Sequence, residues 1–269
     1  MRAPASTANL GPGFDCAAVA LDLWNEVEVE EGAGDGADLG HLGVRAFARL
    51  SDPDGWAFRW KTEIPRERGL GSSASIIALG LVAACVAEGR EPDPEELLAV
   101  GAKLEGHYDN LGAALAGGVV LAWDGHIVRL ADDLPAVPVA VVPEEKFATV
   151  AARTSLPDTI PHAEAAMSLA AASVLAASLA TGSADLFKAS LHGDRLHEPH
   201  RAAQTPMLGE VRKALPAGAH GVTLSGAGPA VIVWCEPGAE GAAAKELAER
   251  YPAAEVRTMA VAAEGASGQ

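Results

Sequence analysis

The chain has 269 residues, 49% of them hydrophobic, enough for one large or two medium folded units around a substantial core. Its 36 acidic and 20 basic residues give a net charge of −16, which excludes nucleic acid and an anionic membrane surface as expected partners. Cys16, Cys85 and Cys235 lie far apart with no CxxC pair, so they read as reduced thiols of a cytoplasmic protein, not a disulfide frame.

In chain order, Met1–Asn25 is punctuated by glycine and proline, with a turn at Gly11-Pro12-Gly13, and lacks the sections of a secretory leader. Asn25–Glu30 alternates with a period of two and predicts a half-buried strand. Glu31–Asp38 predicts a glycine-rich acidic loop. Leu39–Leu50 has helical spacing and stops at Ser51-Asp52-Pro53-Asp54-Gly55. Trp56–Ile64 alternates again. Ser73–Glu88 predicts a buried helix ended by Gly89. Asp93 and Pro94 predict the cap and first position of a second helix, running to about Leu104 and carrying Glu105 at its end. Gly117–Trp123 and His126–Leu130 flank Asp124-Gly125, a two-residue hairpin signal.

Pro135-Ala136-Val137-Pro138 is the expected boundary between an N-terminal unit, 1–135, and a C-terminal unit, 136–269. Beyond it the patterns predict a strand at Val139–Val142, a long Ala-rich helix at His162–Ala180, and shorter helices at Ser183–Leu191 and Pro206–Leu215, the second capped by Thr205. Strands at Val222–Leu224 and Ala230–Trp234, a helix at Ala239–Tyr251 and a strand at Ala254–Val261 follow, which suits an α+β layer. Ile76–Ala87 and Ala165–Ala180 read as too short or too weakly apolar to span a bilayer.

The stretch that carries most chemistry is Pro65, Arg66, Glu67, Arg68, Gly69, Leu70, Gly71, Ser72, Ser73, Ala74 and Ser75. Its glycines and serines predict a turn opening into a helix, with backbone N–H groups and the helix dipole aimed at an anion, most simply a phosphate. The serines can cap the helix or reach a cation. No lysine follows, so it is not a P-loop. Arg66 and Arg68 could add charge, an exposed salt bridge being the plainer use of each. His192, His197 and His200 read as a helix face, not a zinc site.

With Pro4–Asp15 (PASTANLGPGFD) and Leu224–Pro229 (LSGAGP), this stretch resembles the three signature segments of the GHMP kinases. Glu105–Asn110 (EGHYDN) and Glu198–Arg201 (EPHR) make the likeness closest to the homoserine kinases within that family. The resemblance runs from Pro4 to about Trp234. It implies an N-terminal domain like ribosomal protein S5 domain 2, a ferredoxin-like C-terminal domain, and a site between them. The implied reaction is transfer of phosphate from ATP to the side-chain hydroxyl of L-homoserine. The rivals are a GHMP kinase with another acceptor and an inactive nucleotide or amino-acid sensor.

The resemblance also distributes roles. Pro65–Ser75 binds ATP. Ser73, or Ser72 in its place, and Glu105 hold Mg²⁺, a hard cation that takes oxygen ligands. Asp15 pairs with the acceptor ammonium, and Asn9 serves either polar end. Arg153, in the segment containing Thr149, and Arg201 fork onto its carboxylate. Asp109 binds substrate or acts as a base, Asn110 orients the hydroxyl, and these two with Arg153 are the candidate catalytic residues. His107 is a structural partner. The Ser225–Pro229 turn, with Gly226 facing the acceptor, closes over the site. A homodimer is compatible with this reading.

Overall fold

Strand β1 (Arg2–Asn9) and strand β2 (Gly13–Glu31) pair antiparallel around the Gly11-Pro12-Gly13 turn. The sequence reading assigns a strand only to Asn25–Glu30; the structure carries it back to Gly13 and adds β1 before it. Composition explains the difference. The Ala, Ser and Thr side chains of β1 are buried on both faces, so no period-two alternation marks them. The structure, a computed structural model, describes residues 1–32, 38–146 and 153–268.

Strand β3 (Trp56–Thr62) pairs with the C-terminal half of β2, and β4 (Val119–Trp123) with its N-terminal half. Strand β5 (His126–Ala131) follows β4 through the expected hairpin at Asp124-Gly125. The resulting five-stranded sheet runs β1-β2-β4-β5, with β3 beside β2. Helices α1 (Leu42–Phe47), α2 (Ser72–Ala87), α3 (Pro94–Glu105) and α4 (Asp109–Ala116) belong to the same half. Helix α2 buries 12 of its 16 residues and packs against α1, α3, α4 and β1. Its run of Ala, Ile, Leu and Val has no polar face because it has no solvent face. Asp93 caps α3 as read, its Oδ1 accepting from the amides of Glu95 and Glu96 at 2.9 and 3.0 Å. Helix α4 is absent from the sequence reading. Its eight residues are short, and all but Ala116 are buried.

The second sheet contains β6 (Val137–Val142), β7 (Ala219–Leu224), β8 (Val231–Cys235) and β9 (Glu255–Thr258) in the order β7-β8-β6-β9, all antiparallel. Between β6 and β7 lie α5 (His162–Thr181), α6 (Ala184–Ser190), α7 (Glu198–Arg201) and α8 (Pro206–Lys213); between β8 and β9 lies α9 (Glu240–Arg250). Strand, helices, two strands, helix, strand in that order is the ferredoxin-like pattern. Thr205 precedes α8, yet its hydroxyl donates to the Arg201 carbonyl at 2.9 Å and does not cap. Helix α5 matches the expected His162–Ala180 to within one residue. By length and composition alone it could cross a membrane, with a mean hydropathy of 1.5, although this apolarity is mostly alanine.

One hydrophobic core joins the halves. Leu10, Leu21 and Val119 from the first half meet Leu175 of α5, Phe187 of α6, and Ile232 and Trp234 of β8. The chain then returns to the first sheet after β9. Val261 bridges to Leu21 and Ser267 to Arg2, and the Ala266 amide donates to the Ala114 carbonyl of α4 at 2.7 Å.

Candidate active site

A cleft of about 600 Å³ is walled by residues of both halves, from Asn9 and Asp15 to Arg201 and Gly226. The Pro65–Ser75 stretch forms one wall. Gly71 is the N-cap of α2 at φ +68°, so the amides of Ser72, Ser73 and Ala74 open the helix without a carbonyl of the helix to bond. Pro65, Arg66, Glu67, Gly69, Gly71, Ser72 and Ser73 face the cleft; Arg68, Leu70, Ala74 and Ser75 do not. Leu70 and Ala74 are buried, and Ser75 donates to the Ala3 carbonyl at 3.1 Å.

Two local expectations are corrected. Neither serine caps α2, because Ser72 Oγ donates to the Ile64 carbonyl at 3.3 Å and Ser73 Oγ to Glu105 Oε1 at 2.6 Å. Arg66 and Arg68 form no salt bridge among the described residues. Arg68 instead reaches the Pro143 carbonyl at 2.7 Å and the Glu144 carbonyl. The glycines also serve the protein's own packing. A Cβ on Gly71 would lie 2.0 Å from Ser6 Oγ, and one on Gly69 would lie 2.2 Å from the Ser225 carbonyl oxygen. The loop is thereby pressed onto β1 and the Ser225–Pro229 turn, with the Ser6 amide donating to Leu70 and Ser225 Oγ to Gly69.

At the end of α3, Glu105 stands over the start of α2. Gly106 turns the chain, and His107 and Asp109 follow. His107 Nδ1 lies 2.6 Å from Asp109 Oδ1 and its Nε2 lies 3.6 Å from Glu105 Oε1, so the imidazole stands between two carboxylates. His107 thus contacts both acids and also lines the cleft. Burial raises the pKa of Glu105, only partly offset by His107 and the Ser73 hydroxyl. Burial would also raise Asp109, but the His107 contact, the Asn110 amide and Arg153 hold it below the usual carboxylate value. Ser6 Oγ donates to Asn110 Oδ1 at 2.9 Å. That bond occupies the amide oxygen and leaves Asn110 Nδ2 as its donor. Ser6 lies in a quoted motif, yet nothing in the sequence sets it apart from Thr7. The wall at His41, Thr62 and Ile76 has no local signal either; only the tertiary fold brings it to the cleft.

At the other end, Asn9, Leu10 and Asp15 adopt left-handed backbone conformations at φ 74°, 46° and 54° around the glycine-proline turn. Asn9 Oδ1 accepts from the Asp15 amide at 3.0 Å, and Asn9 Nδ2 donates to the Gly226 carbonyl at 2.9 Å. Arg153 places both terminal nitrogens on Asp15, at 2.9 and 3.0 Å. Arg201 is buried beneath, its Nη1 3.2 Å from the Gly226 carbonyl and its guanidinium 5.5 Å from the Phe14 ring centre. His197 stacks on Phe14, its Nε2 lies 2.8 Å from the Gly11 carbonyl, and its Nδ1 lies 3.2 Å from Arg201 Nη1. Nε2 therefore carries the proton and Nδ1 accepts, which makes this histidine part of the arginine's seat. Among the described residues no group of three or more His, Cys, Asp or Glu side chains could enclose a metal. Thr149 lies outside the described residues.

The GHMP kinases N terminal domain model matches residues 41–118 and the GHMP kinases C terminal model residues 175–253. The homoserine kinase of Gloeobacter violaceus is 37% identical over 277 residues, covering 94% of this chain and 92% of that protein. The chain belongs to the GHMP kinase family. A second relative of this GHMP kinase, the homoserine kinase of Caldicellulosiruptor bescii, is 38% identical over 254 residues, covering 86% of this chain and 82% of the relative. The crystal structure of homoserine kinase from Cytophaga hutchinsonii shares the fold, with a TM-score of 0.83 at 24% identity over 98% of this chain and 95% of that one.

Family membership implies ATP as phosphoryl donor, and the kinase's cleft suits it. The cradle supplies amides at a helix start, and the cleft is large enough for a small ligand. Ser73 and Glu105 present two oxygen donors side by side. A buried carboxylate whose pKa is raised gains from a nearby cation, so this pair fits a divalent ion shared with phosphate.

Proposed function

We propose that this kinase transfers the γ-phosphoryl group of ATP to the side-chain hydroxyl of L-homoserine, giving O-phospho-L-homoserine for threonine biosynthesis. The observation that carries this reading is the charge set at the acceptor end. Two guanidiniums, Arg153 and Arg201, and two carboxylates, Asp15 and Asp109, line one cavity with Asn110. An amino acid needs such a set; the acceptors of mevalonate or galactose kinases do not carry an ammonium beside a carboxylate.

In this reading Arg153 and Arg201 grip the acceptor carboxylate, and Asp15 and Asp109 attract its ammonium. Asn9 and Gly226 hold the two loops that enclose it, and Thr149 contributes from the Arg153 segment. Asn110 Nδ2 donates to the acceptor hydroxyl and aims its oxygen at the γ-phosphorus. A new O–P bond forms, ADP leaves, and the hydroxyl proton passes towards the transferred phosphate. A loose transition state asks little of a base, so positioning suffices. Residues Pro65–Ser75 cradle the phosphates. Ser73 and Glu105 would hold Mg²⁺, which neutralises phosphate charge when bound. The division at residues 135 and 136 separates an ATP-binding domain from a C-terminal one in this scheme, and the setting is cytoplasmic.

The test is ADP release with a panel of homoserine, serine, threonine, mevalonate and galactose. Homoserine should give the highest kcat/KM. Preference for mevalonate or galactose, or no turnover with any of them, overturns the reading.

A further inference from the structure

Glu198 opens the EPHR segment but has been given no role of its own; it is 2% exposed and both its oxygens are engaged. Oε1 accepts from the Leu224 amide at 2.7 Å, and Oε2 meets Arg212. Strand β7 is an edge strand of the second sheet. The Leu224 amide and the Val222 carbonyl lie on the same side of that strand, two residues apart. Arg212 Nη2 lies 3.3 Å from that carbonyl. The Glu198–Arg212 pair therefore takes the place of a neighbouring strand, covering one donor and one acceptor of an exposed edge.

What this edge carries is the Ser225–Pro229 turn. Two residues after Leu224, the Gly226 carbonyl receives both Asn9 Nδ2 at 2.9 Å and Arg201 Nη1 at 3.2 Å. Arg201 also sits one turn after Glu198 on α7, a helix of only four residues. Such a helix is not stable by itself. Asp194 clamps its start by accepting from the amides of Leu196, His197 and Glu198 at 2.9, 3.1 and 2.7 Å. Glu198 then reaches from this clamped start to the last residue of β7. It links the element bearing Arg201 to the turn bearing Gly226.

We propose that Glu198 is a positioning residue for the acceptor half of the site: its carboxylate fixes the Ser225–Pro229 turn against Arg201, and thereby sets the distance between the carboxylate-binding guanidinium and the Gly226 carbonyl. The proposal rests on the acceptor reading given above. Glu198 does not line the cleft and forms no hydrogen bond to the phosphate cradle, which meets the turn through Ser225 and Gly69.

The test compares Glu198→Ala, Glu198→Gln and Arg212→Met by steady-state kinetics, thermal unfolding and amide hydrogen exchange. Glu198→Ala should raise the homoserine KM by about tenfold or more, while the ATP KM stays within about twofold. Glu198→Gln keeps an oxygen for the Leu224 amide and should recover most of the loss. Arg212→Met should fall between them. Exchange at residues 222–228 should quicken in Glu198→Ala without a comparable change in α2. This readout needs no substrate, so it judges Glu198 even where the wild type fails to use homoserine. If Glu198→Ala does not fold, the glutamine and Arg212→Met variants carry the comparison. Equal changes in both KM values, unchanged exchange at 222–228, or a glutamine variant as impaired as alanine would overturn the proposal.

Discussion

Asp15 and Arg153, separated by 138 residues in sequence, face each other in a two-pronged ion pair at the mouth of the cleft. With both side chains more than a third exposed, the pair contributes little stability, about 1 kcal/mol or less. Its significance is chemical. An amino-acid acceptor would present an ammonium to one partner and a carboxylate to the other. Asp15→Asn should therefore raise the homoserine KM by about tenfold or more and leave the ATP KM nearly unchanged. Steady-state kinetics with each substrate varied will show this; an unaltered homoserine KM removes Asp15 from the acceptor end.

Arg201→Lys should harm the enzyme almost as much as Arg201→Ala. A point charge on a flexible stem cannot reproduce a planar fork, and it cannot reach the Gly226 carbonyl and His197 Nδ1 from one nitrogen in the same way. Charge-assisted bonds are worth about 1.5–3 kcal/mol each, so kcat/KM should fall about tenfold or more. A carboxylate-free homoserine analogue is the control. The lysine variant should discriminate less between it and homoserine, and wild-type discrimination in that variant would argue that Arg201 does not read the carboxylate.

Gly71→Val should abolish ATP binding and also lower the melting temperature. Valine is strained at φ +68°, and its Cβ would strike Ser6 Oγ. Because Ser6 holds Asn110, the damage should reach the acceptor hydroxyl as well. Calorimetric ATP titration beside a thermal melt measures both effects. Intact ATP affinity in the folded variant would remove the cradle assignment.

Glu105→Gln should raise the magnesium concentration needed for half-maximal rate and slow turnover. The amide keeps the size of the side chain but loses the charge that a cation would share with Ser73. A magnesium titration that matches wild type, with kcat unchanged, would assign the cation to another carboxylate.

The sequence displays local chemistry well and tertiary pairing poorly. Asp93 and Pro94 announce α3 and deliver Glu105, because caps and prolines act on their immediate neighbours. The glycine-serine stretch announces the start of α2 for the same reason. Strand β1 stays hidden because both its faces are buried and its residues are small. Helix α4 stays hidden because it is two turns long and owes its existence to α2, α3 and the first sheet. Asn9, Asp15, Arg153 and Arg201 enter through segment likeness, but the Asp15–Arg153 pair and the shared Gly226 carbonyl are long-range facts. No spacing rule reports that Ser6 fixes the amide of a residue 104 positions away.

Asn9, Leu10 and Asp15 all hold left-handed backbone angles in one short loop. For non-glycine residues that conformation costs about 1 kcal/mol or more each. At position 15 the cost is comparable to what the half-exposed ion pair returns. Asp15→Gly removes the strain and the pair together, so this variant should melt no lower than wild type while losing the acceptor; a thermal melt and a turnover assay on the same sample check both halves. Heat tolerance and turnover thus pull this position in opposite directions. On the acceptor reading proposed above, selection for thermal resilience alone would let this position drift towards glycine, and demand for the phosphorylated product would hold the aspartate against its backbone preference.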